Sequence, residues 1–320
     1  MTQAPAAPDD RTVVVTAKSK TADGVVTLTL ARPAGGRLPD WAPGSHLDLV
    51  LPGGLTRQYS LCGDRWDAFR YRIAVRREAG AAGASAYIHD RLREGDVLGI
   101  GGPRNNFPLV PADRYLFIAG GIGITPLLPM VAQADLLGVD WTLLYAGRSA
   151  GTMAFLDELA GYGERVRVFA GDAGKRLDLA DWLGEPRPGE RVYCCGPDRL
   201  VAEVRARCTT WPSHSLRTER FTPAALSVTA DSGPFEVKLA RTGATVTVGP
   251  GATVLDAVLG AGASVLSSCR RGLCGTCETT VLDGRPDHRD SLLDDEERAG
   301  GDSMFICVSR SVGGRLVLDL

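Results

Sequence analysis

The stretch "SSCRRGLCGTCETT", Ser267 to Thr280, places three cysteines within nine residues. The whole chain has 8 cysteines among 320 residues, so this density is a local feature. Cysteines in such numbers can form disulfides, hold a structural zinc ion or hold an iron–sulfur cluster. The spacing of the ligands and the rest of the chain decide among these three.

The spacing favours a two-iron cluster. Four residues separate Cys269 from Cys274, two separate Cys274 from Cys277, and 29 more lead to Cys307. This pattern is typical of plant-type 2Fe-2S ferredoxins. Structural zinc usually takes two short pairs of ligands, and no second pair exists here. The start of the chain lacks a secretory signal, so a reducing cytoplasm is expected, which argues against disulfides.

Composition and charge exclude other classes of function. With 44% hydrophobic and 23% charged residues, the chain has the composition of a globular protein. The net charge of -2 and the absence of a basic stripe do not favour nucleic acid. The longest uncharged run, Leu116 to Ala134, is interrupted by glycines and prolines and is not expected to span a membrane. We expect a monomer.

Three domains are predicted from the changing rhythm of the strands. Residues 1–107 contain six short β-rich runs, which suggests a closed antiparallel barrel. Residues 108–221 alternate apolar strands with helices, which indicates a doubly wound parallel sheet. Residues 222–233 form a small polar linker. Residues 234–320 combine strands, one helix beginning at Val254 after the capping residue Thr253, and the cysteine loop; this is a small β-rich domain.

Two strand ends in the middle domain suggest a dinucleotide site. "AGGIGITP", Ala119 to Pro126, follows the strand "YLFI" and opens a helix that Thr125 is predicted to cap. "VYCCGP", Val192 to Pro197, is a second strand end, at which Cys195 is predicted to face the ligand crevice and Cys194 the sheet. Alone, each glycine motif also suits close packing of a helix on a strand.

The barrel offers groups suited to a phosphorylated ring. "RQYS", Arg57 to Ser60, combines a guanidinium, an aromatic face and a hydroxyl. Downstream, "GASAYIH" from Gly83 places Ser85 at the start of a short helix.

With these motifs, "PRNNFPL" and "CRRGLCGTC" included, the chain resembles the phthalate dioxygenase reductase family, which includes vanillate demethylase reductases. The resemblance implies a ferredoxin-reductase-like flavin barrel, an NAD-binding sheet and a C-terminal β-grasp ferredoxin. It implies catalytic roles for Ser60, Thr125 and Cys195, and cluster ligation by Cys269, Cys274, Cys277 and Cys307. The implied cofactor-binding residues are Arg57, Gln58, Tyr59, Ser60, Ala74, Val75, Gly83, Ser85, Gly121, Gly123, Thr125, Arg148, Cys195 and Phe221.

The resemblance implies an oxidoreductase that passes electrons from NADH through FMN and a 2Fe-2S cluster to a Rieske-type oxygenase or a cytochrome P450. Family members usually carry RGGS where this chain has Ala82 to Ser85, so FAD is kept as the alternative flavin. Arg148 and Ser149 would also suit the 2'-phosphate of NADPH. Two other functions stay open: a stand-alone reductase of a quinone or ferric chelate, and a redox-sensing binding protein.

Overall fold

The computed structural model describes residues 11–78, 83–222, 233–293 and 295–320, the last range without the side chain of residue 295. It separates into two compact units, Met1–Glu219 and Arg220–Leu320. The boundary predicted at residues 107 and 108 lies inside the first unit and stays a prediction. Most of the predicted linker, residues 223–232, lies outside the described residues.

The first sheet of the first unit is an antiparallel barrel. Its strands are ordered β4-β3-β6-β1-β2-β5, and a bridge between Leu61 and Ile73 joins the two ends. The short helix α1 packs against β4 and β5. Alternate apolar residues fill the interior, where Leu28, Leu47 and Leu49 are fully buried. The elements are β1 (Thr12–Ala22), β2 (Val25–Ala31), β3 (Ser45–Leu51), β4 (Leu55–Ser60), β5 (Tyr71–Arg76), α1 (Ala84–Asp90) and β6 (Val97–Asn105).

The second sheet of this unit is parallel throughout, with the order β11-β10-β7-β8-β9. Helices cover both faces, since α2 packs in one apolar cluster with Phe117 and Tyr145, and α4 in another with Val192 and Cys194. The elements are β7 (Arg114–Gly120), α2 (Ile124–Leu136), β8 (Asp140–Gly147), α3 (Leu156–Ala160), β9 (Val166–Ala170), β10 (Glu190–Cys195), α4 (Asp198–Arg207) and β11 (Leu216–Glu219).

The long uncharged run is divided between β7 and α2 of this sheet. Of all the helices within the described ranges, none is both long and apolar enough for a membrane span.

Barrel and parallel sheet are joined by polar and apolar contacts. Arg72 of β5 forms a two-pronged ion pair with Glu158 of α3, with both distances at 3.0 Å. The same guanidinium lies over the ring of Phe155 and donates to the carbonyl of Cys62. Ala74 of β5 belongs to the apolar cluster of the parallel sheet. These contacts hold the carboxyl edge of the sheet next to the barrel.

The second unit has a mixed sheet, ordered β13-β12-β18-β14-β16, in which β12 and β18 are parallel. Helix α5 buries Val254, Leu255 and Val258 in the core of this sheet. This is the predicted β-grasp arrangement, and the predicted three-part fold class is confirmed. The elements are β12 (Phe235–Leu239), β13 (Thr245–Val248), α5 (Val254–Gly260), β14 (Glu278–Asp283), β15 (Pro286–Asp287), α6 (Asp295–Gly300), β16 (Ser303–Phe305), β17 (Arg310–Ser311) and β18 (Arg315–Leu318).

Thr253 caps α5 as its position predicted, because its hydroxyl oxygen accepts a hydrogen bond from the backbone N–H of Asp256 at 3.0 Å. Loss of such a cap costs about 1 kcal/mol. We therefore expect Thr253→Ala to speed hydrogen exchange of the α5 amides about five-fold in mass-spectrometric measurements. Thr253→Ser keeps the acceptor and should leave exchange nearly unchanged; equal exchange in both variants would contradict the capping role.

Candidate functional site

The structure brings together the four predicted cluster cysteines in the second unit. Cys269, Cys274 and Cys277 lie between α5 and β14, and Cys307 follows β16. The thiol of Cys269 forms hydrogen bonds with those of Cys274 and Cys307, and the thiol of Cys277 with that of Cys307. Cys269 is half-buried and the other three are buried. Three residues of one loop and one from a later segment therefore meet at a single place.

Hydrogen-bond donors surround these sulfur atoms. The backbone N–H of Arg271 donates to Sγ of Cys269 at 3.3 Å, and that of Cys269 to Sγ of Cys274 at 3.5 Å. The hydroxyl of Thr276 lies 3.1 Å from Sγ of Cys274. Donors of this kind stabilise negative charge on thiolate sulfur and raise the reduction potential of a bound cluster.

The cysteine loop depends on glycine and on a neighbouring segment. Gly272 and Gly275 have φ values of 69° and 72°, a region that other residues rarely adopt. A Cβ atom at Gly272 would lie 3.0 Å from Cα of Asp290. The carbonyl of Gly272 accepts a hydrogen bond from Ser291 at 3.0 Å. The loop is thus held against the segment around Asp290, which is itself buried.

The residues present fit a two-iron cluster. Within the described ranges, no three His, Cys, Asp or Glu side chains are arranged to hold a single metal ion. A 2Fe-2S cluster does not need that arrangement, since its four thiolates are shared between two iron atoms. The thiol contacts connect all four cysteines, since Cys269 contacts both Cys274 and Cys307, and Cys307 contacts Cys277. Soft sulfur donors in this number suit iron–sulfur chemistry.

One side of the barrel gathers the predicted phosphate and ring-binding residues. Arg57 and Tyr59 are half-buried neighbours on β4. Burial raises the pKa of Tyr59, the carboxylate of Glu78 raises it further, and Arg57 lowers it. The backbone N–H of Glu78 donates to Oγ of Ser85 at 3.2 Å. Arg57, Tyr59, Glu78 and Ser85 therefore belong to one local cluster formed by β4, the end of β5 and α1.

The remaining predicted barrel residues differ in exposure. Ser60, Ala74 and Val75 are buried, and the carbonyl of Val75 lies 2.9 Å from Nε2 of His89. Gly83 precedes α1 with φ 139°, and a Cβ atom there would meet nothing within 4 Å. Ala82, the first residue of the segment that differs from the family's RGGS motif, lies outside the described residues.

Gln58 faces a polar network that the sequence did not reveal. Its amide donates to Oδ1 of Asp48 at 2.6 Å, and Arg104 of the "PRNNFPL" motif donates to Oδ2 of the same carboxylate at 2.5 Å. Asp48 is buried, so this network ties β4 to β6 through β3. The predicted cofactor residue Gln58 is thus committed to a contact inside the sheet.

The carboxyl edge of the parallel sheet brings together the predicted nucleotide residues Gly121, Gly123, Arg148 and Cys195. The glycines serve different purposes there. A Cβ atom at Gly123 would lie 2.2 Å from the carbonyl oxygen of Cys195, so this glycine allows β7 and β10 to end in close contact. Gly121 has φ 54° and open space on its Cβ side.

The predicted helix cap at Thr125 is wrong. Gly123 occupies the N-cap position of α2, and Thr125 is the second residue of the helix. Its hydroxyl donates instead to the carbonyl of Ile122 at 3.0 Å, and the side chain is buried. The 3-10 turn Gly121–Gly123 shifts the start of the helix toward the strand, so the cap falls before the threonine.

Cys195 is fully buried at this edge beside an acid that the sequence analysis missed. Its thiol donates to Oε2 of Glu219 at 3.9 Å, and burial raises the pKa of Cys195 well above its ordinary value. Burial also raises the pKa of Glu219 from 4.5 to about 8. Glu219 is the last residue of β11. The only sequence feature that pointed to it was its position in the motif "TERF", two residues before the predicted cofactor residue Phe221.

Other predicted residues have simpler surroundings. Arg148 is exposed after β8, and Phe221, in the second unit, is 37% exposed. Cys62 and Cys208 are buried core residues, as predicted.

Comparison with known proteins identifies the class. Residues 237–312 match the 2Fe-2S iron–sulfur cluster binding domain family. The chain is 44% identical to phenoxybenzoate dioxygenase subunit beta of Ectopseudomonas oleovorans over 93% of this chain and 94% of that protein. It is 39% identical to tetrachlorobenzoquinone reductase of Sphingobium chlorophenolicum over 96% of this chain and 97% of that protein.

Solved structures agree. An intact type IV self-sufficient cytochrome P450 monooxygenase matches with a TM-score of 0.91 and 43% identity over 97% of this chain, which spans 41% of that protein. Phthalate dioxygenase reductase, described as a modular structure for electron transfer from pyridine nucleotides to a 2Fe-2S centre, matches with a TM-score of 0.69 and 36% identity over 97% of both chains.

The fold and the cysteine site define a flavin and iron–sulfur oxidoreductase of the ferredoxin-reductase type. The chain belongs to the phthalate dioxygenase reductase family. The predicted function, electron supply in an oxygenase system, and the predicted cofactors FMN, NADH and 2Fe-2S are confirmed at the level of this family.

Gly121 and Gly123, at the carboxyl edge of the parallel sheet, are expected to respond differently to one added methyl group. Gly123→Ala should lower the free energy of unfolding by about 2 kcal/mol or more, because the methyl group meets backbone. Gly121→Ala should cost about 1 kcal/mol, from its positive φ alone. Urea unfolding followed by tryptophan fluorescence measures both, since all 5 tryptophans precede residue 220. Equal losses would contradict the close contact at Gly123.

The raised pKa of Glu219 predicts a pH-dependent stability. Between about pH 4.5 and 8 the unfolded chain loses this proton while the folded chain keeps it, so the free energy of unfolding falls as pH rises through that window. Glu219→Gln has no such proton. Its stability relative to the wild type should therefore increase by about 1 kcal/mol or more from pH 5 to pH 8.5 in urea titrations. A constant difference would contradict the shift.

Proposed function

We propose that this chain takes electrons from NADH and delivers them, through FMN and a 2Fe-2S cluster, one at a time to a Rieske-type oxygenase or a cytochrome P450. The observation that carries the proposal is the meeting of four thiols in a chain whose first unit joins a flavin-type barrel to a nucleotide-type sheet. We also propose the domain limits 1–107, 108–221 and 234–320, with residues 222–233 as the linker.

Cys269, Cys274, Cys277 and Cys307 are the proposed cluster ligands. Their mutual contacts support this assignment, and so does their enclosure by N–H and hydroxyl donors. Cys62, Cys194 and Cys208 are buried in apolar clusters of the first unit and are not proposed as ligands. Cys195 belongs to the nucleotide edge.

Arg57 is the proposed partner of the FMN phosphate, with Ser85 and Gly83 beside it. Tyr59 offers a ring face, and its raised pKa keeps the hydroxyl protonated as a donor. Ser60, buried at the end of β4, is the proposed donor near the reactive nitrogen of the flavin. Ala74 and Val75 are proposed to form an apolar wall of the flavin site. Gln58 stabilises β4 through its hydrogen bond to Asp48. Phe221 is the proposed cover of another flavin edge.

The nucleotide is proposed to lie along Gly121, Gly123, Thr125 and Cys195. Gly121 offers an open backbone approach, whereas Gly123 and Thr125 shape the turn beneath it. NADH is favoured over NADPH by the surroundings of Arg148. Oδ1 of Asp172 accepts the backbone N–H of Ala150 at 3.3 Å, which places a carboxylate beside this turn. A 2'-phosphate would meet this negative charge.

When bound, FMN converts a two-electron hydride donor into a source of single electrons, which the cluster then stores. The chain's own residues hold and orient the groups. Burial keeps Glu219 protonated at neutral pH, so the carboxyl accepts the thiol of Cys195 without adding charge at the edge. The ion pair of Arg72 and Glu158 holds this edge against the barrel. No acid–base pair is needed.

The proposed acceptor is a separate protein. Relatives with names of dioxygenase and monooxygenase subunits support this, and so does the type IV self-sufficient P450 that contains a similar segment. We propose a monomer in the cytoplasm, where cysteines that form no disulfide would stay reduced.

A second candidate, reduction of a quinone without a protein partner, is favoured by one observation. The relative named tetrachlorobenzoquinone reductase is 39% identical over nearly the whole chain. Steady turnover of a quinone by the purified chain alone, at concentrations found in cells, would favour this function over oxygenase supply.

Anaerobic titration with NADH tests the electron path. We expect both flavin and cluster absorption to bleach in the wild type, and acid extraction to release FMN. Cys307→Ser should lose the cluster bands and bound iron while NADH still bleaches the flavin, because the barrel and nucleotide edge are intact.

Cys208→Ala is the matched control, since Cys208 is also buried but packs in the core of the parallel sheet. It should keep iron, both absorption bands and their bleaching. A wild-type protein prepared without oxygen that contains no iron, or whose cluster stays oxidised when the flavin is reduced, would overturn the proposal.

A further inference from the structure

Charge is unevenly distributed in the second unit. From Gly233 to the C-terminus there are 12 carboxylate residues and 9 basic ones, and eight of these carboxylates lie between residues 283 and 302. The cysteine loop from Ser264 to Cys277 contains two arginines and no carboxylate. The unit as a whole is therefore acidic, whereas the loop that carries three of the thiols is basic.

The loop also exposes an apolar side chain. Leu266 is 79% exposed, more than the other exposed large apolar side chains in the described part of the chain. Cys269, three residues later, is the least buried of the four thiols. We call the surface formed by Leu266, Cys269, Arg270 and Arg271 the cluster face.

The charge of the cluster face is positive. Arg270 is exposed and pairs with Asp256 of α5 at 3.0 Å, which balances one guanidinium. Within the described ranges, Arg271 has no carboxylate within ion-pair distance. Its backbone N–H donates to Sγ of Cys269, so the uncompensated charge belongs to a residue in direct contact with the most accessible thiol.

These features together are those of a contact surface. Electron transfer slows steeply with distance, so an acceptor must approach the sulfur atoms where the protein cover is thinnest. Arginine is enriched in protein interfaces, and an exposed leucine beside it offers apolar area to bury. A positive rim attracts a negative partner and accelerates encounter.

We propose that the cluster face is the docking surface for the electron acceptor, and that the acceptor presents carboxylates around a small apolar contact. The inference rests on the proposed function, because it assumes that the thiols hold the cluster from which electrons leave. The acidic composition of the unit suggests a basic acceptor, whereas the positive cluster face requires an acidic one.

The test uses the full chain with two haem proteins of opposite charge, the acidic soluble domain of cytochrome b5 and the basic cytochrome c. In anaerobic stopped flow, NADH first reduces the chain and the haem protein is then mixed in. For Arg271→Glu we expect reduction of cytochrome b5 to slow about five-fold at low ionic strength and less than about two-fold at high salt. Reduction of cytochrome c should become faster.

Matched controls show whether an effect depends on the cluster face itself. One control makes the same change in net charge elsewhere, and the other removes an exposed leucine elsewhere. Arg315→Glu changes the net charge equally at an exposed site on β18, outside the cluster face, and should leave both rates within about two-fold. Leu266→Ser should slow cytochrome b5 reduction at every ionic strength. Leu282→Ser, at a site that is 55% exposed on β14, should not.

Reduction of the cluster by NADH within the same chain is the second readout. It should be unchanged in Leu266→Ser. If it slows instead, the cluster face contacts the chain's own flavin unit and the proposal is overturned. Unchanged cytochrome b5 rates, or an equal effect of Arg315→Glu, would also overturn it, whereas loss of cluster reduction in the wild type would refute the proposed function itself.

Discussion

The second unit depends on bringing four sulfur atoms to one place from two separate segments. Three come from a loop of nine residues, which must turn sharply enough to point them inward. Positive φ at Arg270, Gly272 and Gly275 makes these turns possible. The fourth, Cys307, lies two residues after β16, which pairs with β14 directly after the loop. The sheet therefore sets the distance between the two segments, and the loop conformation sets the direction of the thiols.

The segment around Asp290 links this loop to the rest of the unit. Oδ1 of the buried carboxylate accepts the backbone N–H groups of Leu292 and Leu293, both at 2.9 Å. That turn presents the N–H of Ser291 to the carbonyl of Gly272. A buried carboxylate is expensive unless hydrogen-bonded, so these bonds make its position specific. Asp290 thereby positions the cysteine loop indirectly, through the turn that it holds and the bond from Ser291 to Gly272.

Short motifs carried most of what could be predicted. The cysteine spacing predicted one converging site, because ligand geometry restricts both residue type and separation. Strand rhythm predicted the two sheets of the first unit, since the burial of alternate or continuous apolar residues leaves a period in the sequence. Motifs such as "RQYS" located one side of the barrel for the same reason: chemically distinct side chains stand close together in the chain.

Features formed between distant segments could not be predicted in this way. Strand β11, with the sequence "LRTE", has no apolar run and exists because β10 offers it a parallel neighbour. The pair of Cys195 and Glu219 joins residues 24 positions apart through that same register. Asp48 and Arg104 are 56 positions apart and meet only because β3 pairs with β6. Thr125 was predicted to cap a helix whose start depends on a 3-10 turn that propensity alone does not reveal.

The electrostatics of the nucleotide edge follow from where each carboxyl group is placed. Glu219 is half-buried beside Cys195, and desolvation raises its pKa to about 8, so at pH 7 the inner part of the edge carries little negative charge from this acid. Asp172 is exposed and lies near the turn after β8. In the proposed binding mode the neutral acid would lie near the nicotinamide end of the dinucleotide, and the carboxylate of Asp172 near its adenosine end, where it would disfavour a third phosphate. Under that proposal one edge would bind an anionic cofactor and still discriminate against a more anionic one, because desolvation neutralises the inner carboxyl.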